Sequence, residues 1–192
     1  MAKKLESTLI NMILSLMLIS MTMSAALGFV YLKTKGPIEL AMKQKELEAI
    51  RQVIPEFDSD PSAGMIEKDG VIIYRMSKQD LPVGFAIKTF TDKGFGGHVE
   101  IMAGFLPDGS INRIMVLSHK ETPGLGTKMT DPKFSEQFLG KNPDTFILKV
   151  KKDGGQVDAI TAATVTSRAY CDALQRACKT LKSVNDSIDL KN

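Results

Sequence analysis

A stretch of hydroxyl and carboxylate side chains stands where a short apolar run gives way to a long helical pattern. It runs from Asp158 to Ser167 with the sequence D-A-I-T-A-A-T-V-T-S. The first amide groups of a helix have no partner within it and lie at the positive end of its dipole, so a phosphate is well placed there. The simpler interpretation, which local physics alone favours, is that one of these hydroxyls caps the helix.

A second segment has the composition of a rigid turn. Residues 118–126 read S-H-K-E-T-P-G-L-G and directly follow a predicted strand. Pro123-Gly124 predicts a tight turn, and Gly126 adds another conformationally permissive position. Such a turn at the end of a strand can present backbone donors and acceptors to a flat ligand. Taken alone, the segment is more typical of a connecting loop.

The elements that must position these segments begin with a β-hairpin. Val99–Leu106 and Ile111–Leu117 are apolar runs rich in β-branched residues, and P-D-G-S joins them as a good turn tetrad. Residues 56–70 are rich in turn formers and predict a surface loop. Four further strands are predicted, at Val71–Tyr74, Val83–Phe90, Thr145–Val150 and Val157–Ile160.

Two helical patterns flank these strands. The first follows Gly36-Pro37, which predicts a helix break, and ends at Pro55. The second begins between Thr161 and Thr164 and runs to about Val184, with apolar residues at helical spacing that include Val165. Consecutive strands between helices indicate an α+β fold around a largely antiparallel sheet with flanking helices.

An apolar run near the N-terminus predicts a transmembrane helix. From Ser7 to Leu32 the chain has no charged residue, and at about 1.5 Å per residue this run crosses a hydrocarbon core of roughly 30 Å. Ser24-Ala25-Ala26 resembles a signal-peptide cleavage site, but the apolar run continues beyond it, which favours an uncleaved anchor. We expect an anchor over residues 1–34, a juxtamembrane helix over 35–56 and one domain over 57–192.

Charge and cysteine content exclude several functions. The chain has 25 Lys and Arg against 22 Asp and Glu, with no basic block interleaved with aromatic residues, so nucleic-acid binding has no support. The charges around the apolar run leave its orientation open. Cys171 and Cys178 lie about 10.5 Å apart on one predicted helix, too far for a disulfide, and no zinc-site spacing is present.

The two segments together resemble a known family. D-x-x-T-A-A-T is similar to the D-x-x-[S/T]-G-A-T signature of the covalent FMN-binding domain, with Ala162 in place of the usual Gly, and H-K-E-T-P-G-L-G resembles that family's H-x-E-T-P-G-L-G loop. The order also fits: an apolar span, G-F-G-G at 94–97, the hairpin and both motifs. Nearly the whole chain resembles the G subunits of Rnf ion-translocating electron-transport complexes. The equivalent FMN-carrying component of the sodium-pumping NADH:quinone reductase is an alternative, although it is generally longer.

The resemblance implies a covalently bound cofactor. A flavin transferase, using FAD and magnesium, would attach FMN through a phosphoester to Thr164. Asp158, Thr161 and Ala163 belong to the same motif, and Asp158 and Thr161 would shape the transferase recognition site and hydrogen-bond near the phosphate. The resemblance places the second motif near the isoalloxazine ring, through Glu121, Thr122, Gly124, Leu125 and Gly126.

The resemblance also implies a role in a complex. The chain would be an electron-transfer subunit, not a catalyst on its own, in an ion-translocating ferredoxin:NAD oxidoreductase. It would lie in the bacterial inner membrane with its flavin domain on the periplasmic side, in contact with lipid and other membrane subunits. A cofactor-free, membrane-anchored interaction module is a further alternative. A hydrolase built on Ser118 and His119 is disfavoured because adjacent strand residues point to opposite faces.

Overall fold

A computed structural model of the chain describes residues 8–189, with side chains up to residue 184. The chain forms two compact units, and the division falls after Gln44. The first unit contains the apolar run, and the second contains the sheet and the segments that follow it. Residues 1–7 of the predicted anchor lie outside the described residues.

The first element is a single helix, α1, over Leu9–Val53. It contains an 18-residue window of mean hydropathy 2.1 with no buried residue, which gives it the length and composition to cross a membrane. The predicted break at Gly36-Pro37 is wrong, since α1 continues through Pro37. A proline inside a helix removes one backbone hydrogen bond and crowds the preceding turn, at a cost of about 3 kcal/mol, but the residues on both sides are able to propagate the helix. The domain boundaries at residues 34 and 56 stay a prediction.

A five-stranded antiparallel sheet forms the centre of the second unit. Its strands lie side by side in chain order, each paired with the next. The hairpin and the strands predicted around residues 71–74 and 83–90 are confirmed, whereas the first strand falls within residues 56–70, which we predicted to be a loop. The strands are β1 Met65–Lys68, β2 Val71–Lys78, β3 Leu81–Gly94, β4 Gly97–Phe105 and β5 Ile111–His119.

The register of the sheet brings two turns to the same end. Gly94 pairs with Gly97 at the β3–β4 turn. Val99 pairs with His119, so β5 ends beside that turn. The G-F-G-G segment and the E-T-P-G-L-G segment therefore begin as neighbours, although 20 or more residues of chain separate them.

Each face of the sheet buries a separate apolar cluster because inward side chains alternate along the strands. One face packs against the C-terminal helix, and residues such as Ile73, Ile87 and Ile101 lie in its core. The other face packs against the last turns of α1 through Ile50 and Val53. The sheet is thus covered by helical segments on both faces, and the predicted α+β class is confirmed.

A polar network also links the end of α1 to the sheet. Lys88 on β3 lies 2.9 Å from Glu46 and 3.5 Å from Glu100, and Tyr74 donates a hydrogen bond to Glu46. Burial alone would lower the pKa of Lys88, but the two carboxylates outweigh it and raise that pKa. Lys88 therefore stays protonated at neutral pH.

Short helical segments and one long helix follow the sheet. The long helix, α3, spans Thr164–Asp189, so its predicted start is confirmed and its end lies beyond the predicted one. The strands predicted at 145–150 and 157–160 are wrong. Only a parallel bridge between Val150 and Val157 forms there, because the intervening turn folds this stretch back on itself. The short helix α2 covers Pro132–Ser135, and single 3-10 turns cover Gly126–Thr130, Glu136–Phe138 and Lys151–Asp153.

Aromatic and cysteine side chains complete the packing of α3. Tyr170 lies at ring distances of 5.2 Å from Phe134 and 5.3 Å from Phe138, within the core. Cys171 is buried and Cys178 half-buried, and both are free thiols. Burial raises the pKa of each to about 12, so these thiols are neutral and unreactive at physiological pH.

Candidate functional site

A cavity of about 340 Å³ brings the two predicted motifs together. One wall is the start of α3, from Ala162 to Thr166. The opposite wall comes from the segment after β5. Phe95, at the tip of the β3–β4 turn, completes the lining. The lining residues Phe95 and Thr166 are about 70 residues apart in the sequence, yet they share one cavity at the end of the sheet.

Thr164 stands at the first position of α3. Ala163 is the residue that precedes the helix, and its carbonyl oxygen accepts the amide hydrogen bond of Ser167. An alanine has no side-chain oxygen, so it cannot cap the helix as Ser or Thr would. The Thr164 hydroxyl makes no hydrogen bond within the described part of the chain, and its side chain is half-buried. The structure thus gives Thr164 no capping role and leaves its oxygen available at the cavity.

A buried serine fixes the turn before the helix. Ser167 accepts a 2.9 Å hydrogen bond from the amide of Ile160 and donates a 3.0 Å bond to the carbonyl oxygen of Ala163. Between these anchors, Ala162 adopts a left-handed backbone with φ of 62°. That conformation is costly for a residue with a Cβ and free for glycine. The resembled family has glycine here, and the backbone geometry explains that preference.

Glu121 joins the three segments of the site. Its side chain is only 5% exposed. One carboxylate oxygen accepts a hydrogen bond from the amide of Gly96 at 3.2 Å, and the other accepts one from the Thr166 hydroxyl at 2.8 Å. The carboxylate therefore links the β3–β4 turn to the first turn of α3. Each carboxylate oxygen therefore has a hydrogen-bond donor, which replaces the hydrogen bonds to water that burial removes.

Two glycines allow this close packing. A Cβ at Gly96 would collide with the carbonyl oxygen of Lys120, and a Cβ at Gly126 would lie 2.5 Å from Glu121 Oε2. Both positions exclude any side chain. Gly96 in G-F-G-G and Gly126 in E-T-P-G-L-G therefore allow these segments to pack closely against their neighbours.

The structure separates the nine predicted site residues into three sets. Two of them line a neighbouring cavity of about 410 Å³, namely Asp158 and Thr161. Gly124 lines neither cavity, and its amide donates to the Thr127 hydroxyl at 2.9 Å. The remaining six line the first cavity, namely Glu121, Thr122, Leu125, Gly126, Ala163 and Thr164.

Asp158 and His119 have structural partners. Asp158 lies 2.7 Å from Lys151 in an exposed ion pair, and its backbone exchanges hydrogen bonds with the Gln137 side chain. His119 Nδ1 accepts the amide hydrogen bond of Glu121 at 3.3 Å, which closes the loop after β5. Its neighbour Ser118 is exposed and lines neither cavity.

Four lining residues were not predicted as site residues, namely Phe95, Ala162, Val165 and Thr166. Val165 has helical spacing with the core residues of α3, yet it is 44% exposed and lines the cavity. Thr166 is buried against Glu121. Phe95 is 72% exposed despite its size. The sequence signal for Phe95 was available, because an aromatic residue flanked by glycines in a turn has no core to join.

The cavity has an apolar wall and a polar part. Phe95, Leu125 and Val165 are exposed hydrophobic residues that line it. Thr164 also lines it, at the first turn of α3, where the unpaired helix amides and the helix dipole favour an anion. This arrangement fits a flat aromatic ligand that carries a phosphate.

Comparisons with known proteins identify a family and several relatives. Residues 94–179 match the family described as FMN-binding domain. The G subunit of the ion-translocating oxidoreductase complex of Methanosarcina acetivorans is 33% identical over 87% of this chain and 91% of its own length. The protein of the same name from Aliivibrio fischeri is 32% identical over 85% of this chain and 86% of its own. The crystal structure of Shewanella oneidensis NqrC shares 24% identity, covering 67% of this chain and 65% of that chain at a TM-score of 0.42.

Removal of the Glu121 carboxylate should destabilise the second unit. Glu121→Ala leaves the Gly96 amide and the Thr166 hydroxyl without an acceptor, so we expect the free energy of unfolding to fall by about 2–3 kcal/mol. Chemical denaturation of the flavin-free chain measures this loss. Glu136→Ala, at an exposed carboxylate, is the control and should change stability by less than about 0.5 kcal/mol. Equal effects of the two substitutions would contradict the linking role of Glu121.

Glycine at position 162 should stabilise the chain. Ala162→Gly relieves the left-handed strain of an alanine at φ 62°, which we expect to raise the free energy of unfolding by about 1 kcal/mol. Thermal melting of both proteins measures the change. Ala159→Gly, at a position without a left-handed backbone, should instead lower the melting temperature. A lower melting temperature for both variants would show that residue 162 is not strained.

Proposed function

We propose that this chain, which belongs to the family of G subunits of ion-translocating oxidoreductase complexes, carries electrons through FMN esterified by its phosphate to Thr164. FMN is the ligand in the description of the domain that residues 94–179 match. The observation that carries the proposal is the Thr164 hydroxyl. It has no partner in the described chain and stands where the first turn of α3 meets an apolar cavity.

The start of α3 suits the phosphate of such an ester. A phosphate on the Thr164 oxygen would lie beside the unpaired amides of the first helical turn and at the positive end of the helix dipole. Ala162 and Ala163 are small, so they leave room for the phosphate oxygens to approach the backbone. These features favour an anion at this position without a basic side chain in the cavity lining.

The apolar wall suits the ring system. Phe95, Leu125 and Val165 present apolar surface to the cavity, and Thr122 adds a hydroxyl that can hydrogen-bond the polar edge of a flavin. A bound flavin accepts and returns electrons, which the side chains lining the cavity cannot do reversibly. The protein holds the flavin in position, and the residues around the flavin ring set the environment of that ring.

Attachment requires a second protein. A flavin transferase would supply FMN from FAD: the Thr164 oxygen forms a bond to the FMN phosphorus, the anhydride bond to AMP breaks, and AMP and the hydroxyl proton leave. Asp158 and Thr161 line the neighbouring cavity and are exposed, so they are accessible to such an enzyme. We assign them to its recognition of this chain.

A tether is useful to a membrane-anchored electron carrier. The apolar helix anchors the chain in the membrane, in contact with lipid, and we place the flavin domain on the extracytoplasmic side beside the other subunits of an Rnf-type complex. A noncovalent flavin there could be lost to bulk solvent. A covalent link keeps its local concentration high whatever its affinity, so the cavity can stay open to electron donors and acceptors.

Loss of the Thr164 hydroxyl should abolish attachment. The full chain is co-expressed with a flavin transferase, and a denaturing gel is illuminated to reveal a fluorescent band near 21 kDa. Thr164→Val keeps the shape of the side chain but has no oxygen to form the ester, so the band should disappear. Thr164→Ser restores a hydroxyl and should restore the band.

Thr122→Val is the matched control, because Thr122 is a second hydroxyl in the same cavity. It should keep the band. A band that persists in Thr164→Val and disappears in Thr122→Val would move the attachment site. If the wild-type chain shows no band while the transferase labels another substrate, the proposed function fails.

The orientation of the flavin domain is tested with reporters at the C-terminus. Alkaline phosphatase is active only outside the cytoplasm, whereas green fluorescent protein exported through the same route does not fluoresce. We expect an active phosphatase fusion and a dark fluorescent-protein fusion. The opposite pair of results would place the domain in the cytoplasm.

A further inference from the structure

Phe95 is an exposed aromatic side chain in a place where exposure has no structural benefit. It lies at the tip of the β3–β4 turn and is 72% exposed, although a side chain of this size is normally buried. It lines the cavity that Thr164 also lines. Its exposure is therefore directed toward the site and not toward bulk solvent alone.

The backbone around Phe95 is held in place. Gly94 pairs with Gly97 in the sheet register, so the turn is closed by strand pairing. The Gly96 amide donates to Glu121, and Gly96 packs so closely on Lys120 that no Cβ fits. A turn anchored on both sides of Phe95 presents this ring as a fixed surface and leaves it little freedom to collapse onto the domain.

Two more exposed apolar side chains line the same cavity as Phe95. Leu125 and Val165 are also exposed and line the same space, so three apolar side chains leave their surface unburied around one cavity. A flat aromatic ring placed among them would remove that surface from water. Aromatic rings pack face to face with an offset, or edge to face, at centroid separations of about 4.5–7 Å.

We propose that Phe95 packs against the isoalloxazine ring of the flavin carried at Thr164 and fixes the position of that ring in the cavity. This assignment rests on the proposed function. Phe95 is then a positioning residue that shields one part of the ring from water, whereas Thr164 holds the other end of the cofactor.

The test places a tryptophan at position 95, whose indole ring reports contact with the flavin by quenching its fluorescence. Tryptophan or tyrosine in contact with an excited flavin transfers an electron to it and quenches its emission, whereas phenylalanine and leucine do not. Phe95→Trp therefore converts the proposed contact into a fluorescence signal. The full chain is co-expressed with a flavin transferase and purified in detergent, and native emission is divided by the emission of the same sample after denaturation.

Leu81 provides a matched control. It is 69% exposed and starts the strand that ends at Gly94, so it lies roughly 40 Å from Phe95 at about 3.3 Å per residue. Leu81→Trp adds the same indole at a similarly exposed turn at the opposite end of β3. Phe95→Leu keeps an apolar side chain at the site without a quencher.

We expect Phe95→Trp to emit several-fold less light per flavin than the wild-type chain, with full recovery on denaturation. Phe95→Leu and Leu81→Trp should stay near the wild-type value. If Phe95→Trp is not loaded because of its size, Phe95→Tyr adds a single hydroxyl and should also quench.

Equal emission from Phe95→Trp and Leu81→Trp on loaded protein would overturn the assignment. That result would leave Phe95 as a contact for another protein of the complex. A wild-type chain without flavin would overturn the proposed function itself, so the two failures are distinguished by the loading measured in denaturant.

Discussion

The site depends on one buried carboxylate. Glu121 accepts a hydrogen bond from the β3–β4 turn through Gly96 and another from the first turn of α3 through Thr166. These segments are far apart in the chain. A buried acceptor whose two oxygens each have a donor supplies a directional link, because breaking either bond would leave a buried group unsatisfied. Glu121 also lines the cavity, so this link lies in the cavity wall.

The sheet register and the start of α3 position the rest of the site. Antiparallel register places the β3–β4 turn beside the end of β5, which sets the two glycine-rich segments next to each other before any side chain acts. Ser167 then fixes the turn that precedes α3 and leaves the Thr164 hydroxyl without a structural task. Strain at Ala162 is the local cost of this turn. The result is a hydroxyl at a helix start that has no hydrogen-bond partner within the described residues and lines a cavity with an apolar wall.

Sequence patterns predicted the elements that depend on neighbouring residues in the chain. The hairpin, the start of α3 and the apolar helix each follow from local periodicity and turn residues. The continuation of α1 through Pro37 could not be predicted from a breaker rule, because one lost hydrogen bond does not outweigh a long helix. The apolar runs at 145–150 and 157–160 have strand composition, yet they find no strand partner beyond one bridge. The linking role of Glu121 depends on which segments meet in space, and motif spacing alone does not specify that meeting.

Peptide mass mapping of the flavin-loaded full chain tests the central claim most directly. After proteolysis, the peptide that contains Thr164 should gain the mass of one FMN less one water, and fragmentation should assign that gain to Thr164. The same peptide from a chain expressed without a flavin transferase should lack it. An unmodified Thr164 peptide in protein that retains flavin after denaturation, or a modification assigned to Thr161 or Thr122, would contradict the account.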